Sequence, residues 1–319
     1  MKYVIKRILL MFLVLFIITT ICFMLIRMLP RELPNETAKK EAYEARFEAL
    51  GYNKPLLEQY GIYLKNIFTE WDFGTAWYVA SPLTPAFQVL SDRFLPTVLV
   101  NLYSLLVSIP IGIALGIYAA IRKNKWQDSL ISTSVMVFVS VPSYVYAFLV
   151  QYIFYSKLGW LPLTMRSLYD AGGSYFTGAM FVSMIAPVMA LSFGEIASLC
   201  RFTRAELTET LTSDYMLLAR TKGLTRAQAT ARHALKNAMV PILPMIISSF
   251  IAIMGGSMVI ERIFSVPGVG QLYIMSINLL DYDVFMMCTV FYTLISLVGT
   301  LINDLSYGFI DPRIRMGER

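Results

Sequence analysis

One histidine, three cysteines and a charged fraction of 15% leave this 319-residue sequence little of what soluble enzymes work with. A lone His233 excludes an HExxH motif and any site built on several imidazoles. Cys22, Cys200 and Cys288 stand apart with no CxxC pair, and read as small apolar side chains. No glycine is followed by lysine, so a GxxxxGK[ST] phosphate loop is ruled out, and no GxSxG nucleophile elbow occurs. These absences predict no catalytic residue and no metal ligand set. A soluble domain of this length would also carry about 25% charged residues.

What the chain has instead is apolar length. Hydrophobic residues make up 57% of it, and mean hydropathy is +0.61. Runs long enough to cross about 30 Å of hydrocarbon as helices recur. Six spans are expected: Ile8–Leu29, Pro96–Ile121, Ser129–Tyr155, Ala179–Leu199, Ile242–Ile260 and Val284–Phe309. The fold class is therefore an all-α membrane protein with six transmembrane helices. The first span is too long for the roughly 7–15-residue core of a secretory signal, and Arg27-Met-Leu-Pro30 follows it where a small-residue cleavage site would be, so it reads as a retained anchor.

Basic residues set the orientation. With both termini in the cytoplasm, the flank Lys2/Lys6/Arg7, the loop Arg122–Asp128, the segment Arg201–Lys236 and the tail after Ile310 all lie inside. They hold 16 of the 27 Lys and Arg residues. The short outer loops hold only Lys157, Arg166 and Arg262, which is the positive-inside asymmetry. The net charge of +6 thus reflects membrane topology, and no nucleic-acid partner is expected.

The long outer loop, Pro30–Leu95, has order of its own. Asn35 is placed to cap a helix through ETAKKEAYEARFEAL, with Glu36 and Lys40 spaced i, i+4 and Gly51 as its stop. KPLLEQYGIYLKNIF follows with apolar residues at helical spacing. This segment suits either a docking platform or an amphipathic cap on the bilayer. Within the spans, Pro110, Pro142, Pro187 and Pro244 are expected to kink or break helices, and Gly112/Gly116 and Gly255/Gly256 to permit close helix contact. Glu195 and Asp304 are ionisable groups inside apolar stretches. Arg201 or Arg204, and Arg313, are their expected partners.

The most telling stretch is Asp214–Pro241, DYMLLARTKGLTRAQATARHALKNAMVP, a charged island between two membrane-length segments. Ser213 or Asp214 supplies an N-cap, Tyr215–Lys222 forms a helix of about two turns, and Gly223 suits a left-handed stop. Lys222 falls in the last turn, where the helix dipole favours a cation. Thr225-Arg-Ala-Gln228 reads as a capping box opening a second helix, Ala227–Ala238, which Pro241 would end. Tyr215, Leu218, Ala219 and Lys222 share one face of the first helix. A charged loop is ordinarily just a solvated face. Two closely spaced caps around an apolar patch point instead to a docking site.

At these residues the chain resembles a known family. DYMLLARTKGL looks like the cytoplasmic loop of permease subunits of ABC importers of the oligopeptide, dipeptide and nickel branch. IERIFSVPGVGQLYIMSINLLDYDVF at Ile260–Phe285, LINDLSYGFIDPRIRMG at Leu301–Gly317 and RFLPTVLVNLYSLLVSIPIGIALGI at Arg93–Ile117 resemble further segments of that branch. Where the wider superfamily has Glu-Ala-Ala, this chain has Leu217-Leu218-Ala219. The element order looks like the first of two paired permeases.

The resemblance implies a type I ABC importer permease fold. Its parts would be an anchor at 1–29, an outer loop domain at 30–95, a core at 96–311 carrying the coupling loop 201–241, and a tail at 312–319. It also implies a bacterial inner-membrane location. The implied partners are a second homologous permease, two cytosolic ATPases that bind ATP and Mg, and an external peptide-binding protein. This chain itself would bind no cofactor. Asp214, Tyr215, Leu218, Ala219, Arg220, Lys222, Gly223 and Leu224 would couple to the ATPase, and Pro267, Gly268, Val269 and Gly270 would meet the binding protein. A nickel permease and a stand-alone secondary carrier are the alternatives.

Overall fold

A computed structural model describes residues 2–29 and 40–310. Asn35, Glu36 and the tail with Arg313 lie outside the described residues. Among those described there is no strand, only an isolated bridge between Thr75 and Pro85. The helices, in order, are α1 (Lys2–Arg27), α2 (Lys40–Ala49), α3 (Leu56–Glu70), α4 (Ala86–Ile121), α5 (Trp126–Ser140), α6 (Ser143–Val150), α7 (Gly178–Leu211), α8 (Asp214–Thr221), α9 (Arg226–Ala229), α10 (Leu235–Ala252), α11 (Met258–Ile263), α12 (Val269–Asn278) and α13 (Tyr282–Ile310).

Five helical stretches are long and apolar enough to cross a membrane, and a bent pair makes the sixth. The sequence suggests one span over Ser129–Tyr155, but α5 and the helix from Ser143 to Lys157 meet at 101°. Val141 is extended and Pro142 begins the next helix, because proline cannot donate the hydrogen bond that would carry α5 onward. Pro241 has the opposite outcome. The helix continues from Arg226 through Gly255 with Pro241 and Pro244 inside it, so the second island helix is the foot of a span and not a separate element. A π turn at Thr230–Ala234 precedes these prolines. Membrane helices tolerate such interruptions where neighbouring protein satisfies the freed backbone groups.

The bundle is built on α4 packed along α7. Gly112 and Gly116 make that approach possible. A Cβ on Gly116 would lie 2.6 Å from the Thr203 Cβ and 2.8 Å from the Cys200 carbonyl, and one on Gly112 would lie 2.8 Å from the Leu199 Cβ. Ser104 and Ser192 are hydrogen-bonded at 3.2 Å in the same interface. The outward surface is greasy: Leu9, Phe12, Leu13 and Phe16 on α1 are all exposed, the arrangement a lipid solvent requires.

Between α1 and α4, α2 ends near Gly51 in the left-handed region (φ 74°), and α3 follows as expected. This segment is held by two acids at the junction of α12 and α13. Asp281 accepts from the backbone N–H groups of Trp77 (2.7 Å), Tyr78 (2.8 Å) and Val79 (3.1 Å). Burial still pushes the Asp281 carboxyl above the ordinary carboxylate range, despite those donors. Asp283 accepts from the Tyr52 hydroxyl (2.5 Å) and the Trp77 indole (3.1 Å), and pairs with buried Arg27 at 3.6 Å. The Arg27 guanidinium also lies over the Tyr52 ring, 3.5 Å from its centroid.

Candidate functional site

The charged island folds into a short rod set against one end of the bundle. Ser213 has the extended backbone of an N-cap, but its hydroxyl donates back to the Thr210 carbonyl (2.6 Å) and caps nothing. The other end of the rod is closed firmly. Gly223 adopts φ 89°, its N–H donates to the Arg220 carbonyl (3.0 Å), and the Leu224 N–H donates to the Ala219 carbonyl (3.3 Å). This pair of bonds is a Schellman closure, which needs the left-handed residue that glycine supplies at least cost. The next helix starts at once. Thr225 Oγ1 accepts from the Gln228 N–H (3.3 Å), while Gln228 Oε1 accepts from the Thr225 N–H (3.1 Å), completing the capping box.

One side of α8 is seated. Met216 and Ala219 are buried in a cluster with Ala120, Leu207, Ala229, Ala234 and Ala238, and Leu224 packs against it. Alanines on the surrounding helices let the rod approach closely. Ala219 thus faces the bundle, not the exterior face that sequence spacing assigns to it. The exposed face carries Tyr215, Leu217 and Leu218, with Asp214, Arg220 and Lys222 around it. Leu217 is 65% and Leu218 54% exposed, an apolar patch at the charged end of the bundle. Asp128 at the start of α5 braces this end, accepting from the Arg204 guanidinium (2.8 Å).

At the opposite end, the second set of motif residues is mostly interior. Gly268, Val269 and Gly270 are buried, and Pro267 is half-buried. They form a turn around the Glu261 carboxylate. Thr97 Oγ1 donates to Glu261 (2.9 Å) and accepts from the Val269 N–H (2.8 Å), and the Gln271 N–H donates to the other Glu261 oxygen (3.0 Å). Burial raises the Glu261 carboxyl to about 6, against these bonds, which pull the other way. The glycines are needed because a Cβ on Gly270 would lie 2.9 Å from both Glu261 Oε2 and the Met258 Cα. The neighbours Arg262 and Ser265 are exposed and Pro267 is half-buried, whereas Val269 is buried. Sequence reading missed Glu261. Its signal was a lone acid just before a Pro-Gly-Val-Gly turn.

The two acids inside spans also find unexpected partners. Asp304 pairs with Arg7 of α1 at 3.2 Å. Glu195 meets neither Arg201 nor Arg204; its Oε1 accepts from the Ser249 hydroxyl of α10 at 2.7 Å, because Arg204 is committed to Asp128.

This architecture has counterparts. Residues 112–316 match the family described as binding-protein-dependent transport system inner membrane component. The chain belongs to that family. Residues 1–108 match its companion amino-terminal family, so the two matches take in nearly the whole chain. A dipeptide transport system permease protein of Bacillus subtilis (strain 168) is 32% identical over 265 residues, covering 83% of this chain and 81% of the relative. One from Lactococcus lactis subsp. cremoris (strain MG1363) is 33% identical over 268 residues, covering 84% of each chain. A glutathione transport system permease protein of Escherichia coli (strain K12) is 32% identical over 268 residues, covering 84% of this chain and 82% of the relative. The chain is thus an ABC importer permease with the type I fold, and a multi-pass membrane protein.

Proposed function

We propose that this permease forms half of a peptide-conducting pathway and is driven through α8 by a separate ATPase. The observation that carries this reading is the rod itself: closed by a Schellman turn, seated by Met216 and Ala219, and showing Leu217 and Leu218 outward. ATP energy released on another subunit moves a bundle only through a stiff element, and a capped helix on an alanine bed is stiff. Tyr215, Leu218, Arg220 and Lys222 form the face that meets the ATPase. Ala219, Gly223 and Leu224 set the rod's angle, and Asp214 opens it.

On this reading both termini and α8 lie in the cytoplasm of a bacterium, and the turn around Glu261 faces the outside. A second homologous permease completes the pathway, two ATPase subunits hold the ATP and Mg, and an external binding protein delivers the cargo. This chain binds no cofactor of its own. Relatives named for dipeptide and glutathione transport support peptide cargo; no feature of the fold favours nickel or a stand-alone carrier. The test is uptake by cells lacking their own peptide importers and carrying the complete system. ATP-dependent accumulation of a labelled dipeptide supports the reading, whereas accumulation of nickel with no peptide uptake refutes it.

A further inference from the structure

Three acids near or within the spans are neutralised by arginine: Asp128 by Arg204, Asp283 by Arg27 and Asp304 by Arg7. Glu195 has no such partner among the described residues. It lies on α7 four residues before the end of the expected span Ala179–Leu199, partly exposed, and its described hydrogen bond is the one Ser249 donates to Oε1. A carboxylate inside an apolar span is expensive if it faces lipid. It is held where it is by one neutral donor, which orients the group and leaves its second oxygen open.

The surroundings leave room. A Cβ built on the preceding Gly194 would touch nothing within 4 Å. Ser192 and Leu199, about one turn before and after Glu195, pack against α4, so Glu195 stands at the edge of that interface, turned toward Ser249 of α10. Gly194 and Ser198, the small residues beside Glu195 on the side away from α4, are only half-buried.

We propose that Glu195, aimed by Ser249, is a station in the transport pathway that binds the cationic amine of passing cargo. This deepens the peptide reading and rests on it for the identity of the cargo: a peptide with a free amino terminus carries one ammonium group, and a single carboxylate with an open oxygen matches it. One anionic group held by one hydroxyl also suits a transit site, where binding must be strong enough to enter and weak enough to leave. Glu195 is a cargo-binding residue and Ser249 a positioning residue.

Saturation-transfer NMR on the assembled permease–ATPase complex, without the binding protein, tests the site apart from transport. The probes are Ala-Phe and N-acetyl-Ala-Phe. The wild-type complex should transfer saturation at least about fivefold more strongly to the free-amine dipeptide, a difference of about 1 kcal/mol. Glu195→Gln should erase the preference, Glu195→Asp should keep most of it, and Ser249→Ala should weaken it. Equal transfer to the two probes in wild type, or a preference untouched by Glu195→Gln, overturns the proposal. So does loss of complex assembly in Glu195→Gln with Glu195→Asp assembling normally but showing no preference; that result makes Glu195 an ion-pair partner of the second permease. A complex that shows the Glu195-dependent preference yet imports no dipeptide refutes peptide import and leaves the amine site standing.

Discussion

Thr97 and Glu261, 164 positions apart in sequence, are joined by a 2.9 Å hydrogen bond that fastens the turn before α12 to α4. The bond is buried, and its acid carries the consequence. Glu261 is 1% exposed, and its carboxyl rises from the ordinary 4.5 to about 6. An acid raised in the folded state contributes stability that is full below about pH 4.5 and is lost as pH rises through about 6. The size is about 2 kcal/mol. Thermal unfolding of the purified permease in detergent should thus show a pH-dependent part between pH 4.5 and 7 that Glu261→Gln removes. A Gln variant with the same pH slope as wild type contradicts this.

The closeness of α4 and α7 makes a second prediction. Gly116→Ala places a methyl group 2.6 Å from the Thr203 Cβ and against backbone, so it should destabilise by about 1–3 kcal/mol. Gly194→Ala, a change of the same chemistry in open space, should be neutral or slightly stabilising by helix propensity. Unfolding midpoints of the two variants compared side by side decide it. Equal midpoints would mean the helices are not in intimate contact.

Arg27 and Asp283 make a third. Both are nearly buried, so Asp283→Asn leaves an uncompensated cation and should cost about 3–5 kcal/mol. It also weakens the bonds from Tyr52 and Trp77, and the segment between α1 and α4 should loosen with it. Faster amide exchange over α2, α3 and residues 72–80 is the expected readout. The double variant Arg27→Met with Asp283→Asn should be less damaged than Asp283→Asn alone, and a strictly additive pair would contradict the coupling.

Gly223 and Ala219 give a fourth. Gly223→Pro cannot adopt φ 89°, and Ala219→Arg forces a guanidinium into the alanine bed. Either change should abolish ATP-driven peptide uptake, by more than about tenfold, while membrane insertion is retained. Normal uptake by both variants would show that the seating of α8 is irrelevant to transport.

Much of this was legible in the chain. Apolar length showed the spans, and the local chemistry of Gly223 and of Thr225 with Gln228 showed both closures of the island, because caps are written in adjacent residues. What distant residues decide was not legible. Ala219 sits at helical spacing with Tyr215 and Leu218, yet Ala120 of α4 and Ala229, Ala234 and Ala238 of the helix that follows draw it inward. Pro241 reads as a stop, but the helix runs through it. Arg204 lies nine positions after Glu195 on the same helix and 76 after Asp128, and only the packing of α5 against α7 settles which acid it takes. Val269 looks like an exposed loop residue until Thr97, from a helix far away in sequence, closes the turn over it.

The central claim is that Leu218 meets an ATPase, and labelling tests it most directly. With a cysteine at position 218, the permease alone should react readily with a membrane-impermeant maleimide in opened vesicles. In the complete complex that cysteine should be protected, and a short bifunctional reagent should link it to the ATPase subunit. If position 218 stays equally reactive in the assembled transporter and links to nothing, α8 is not the transmission element.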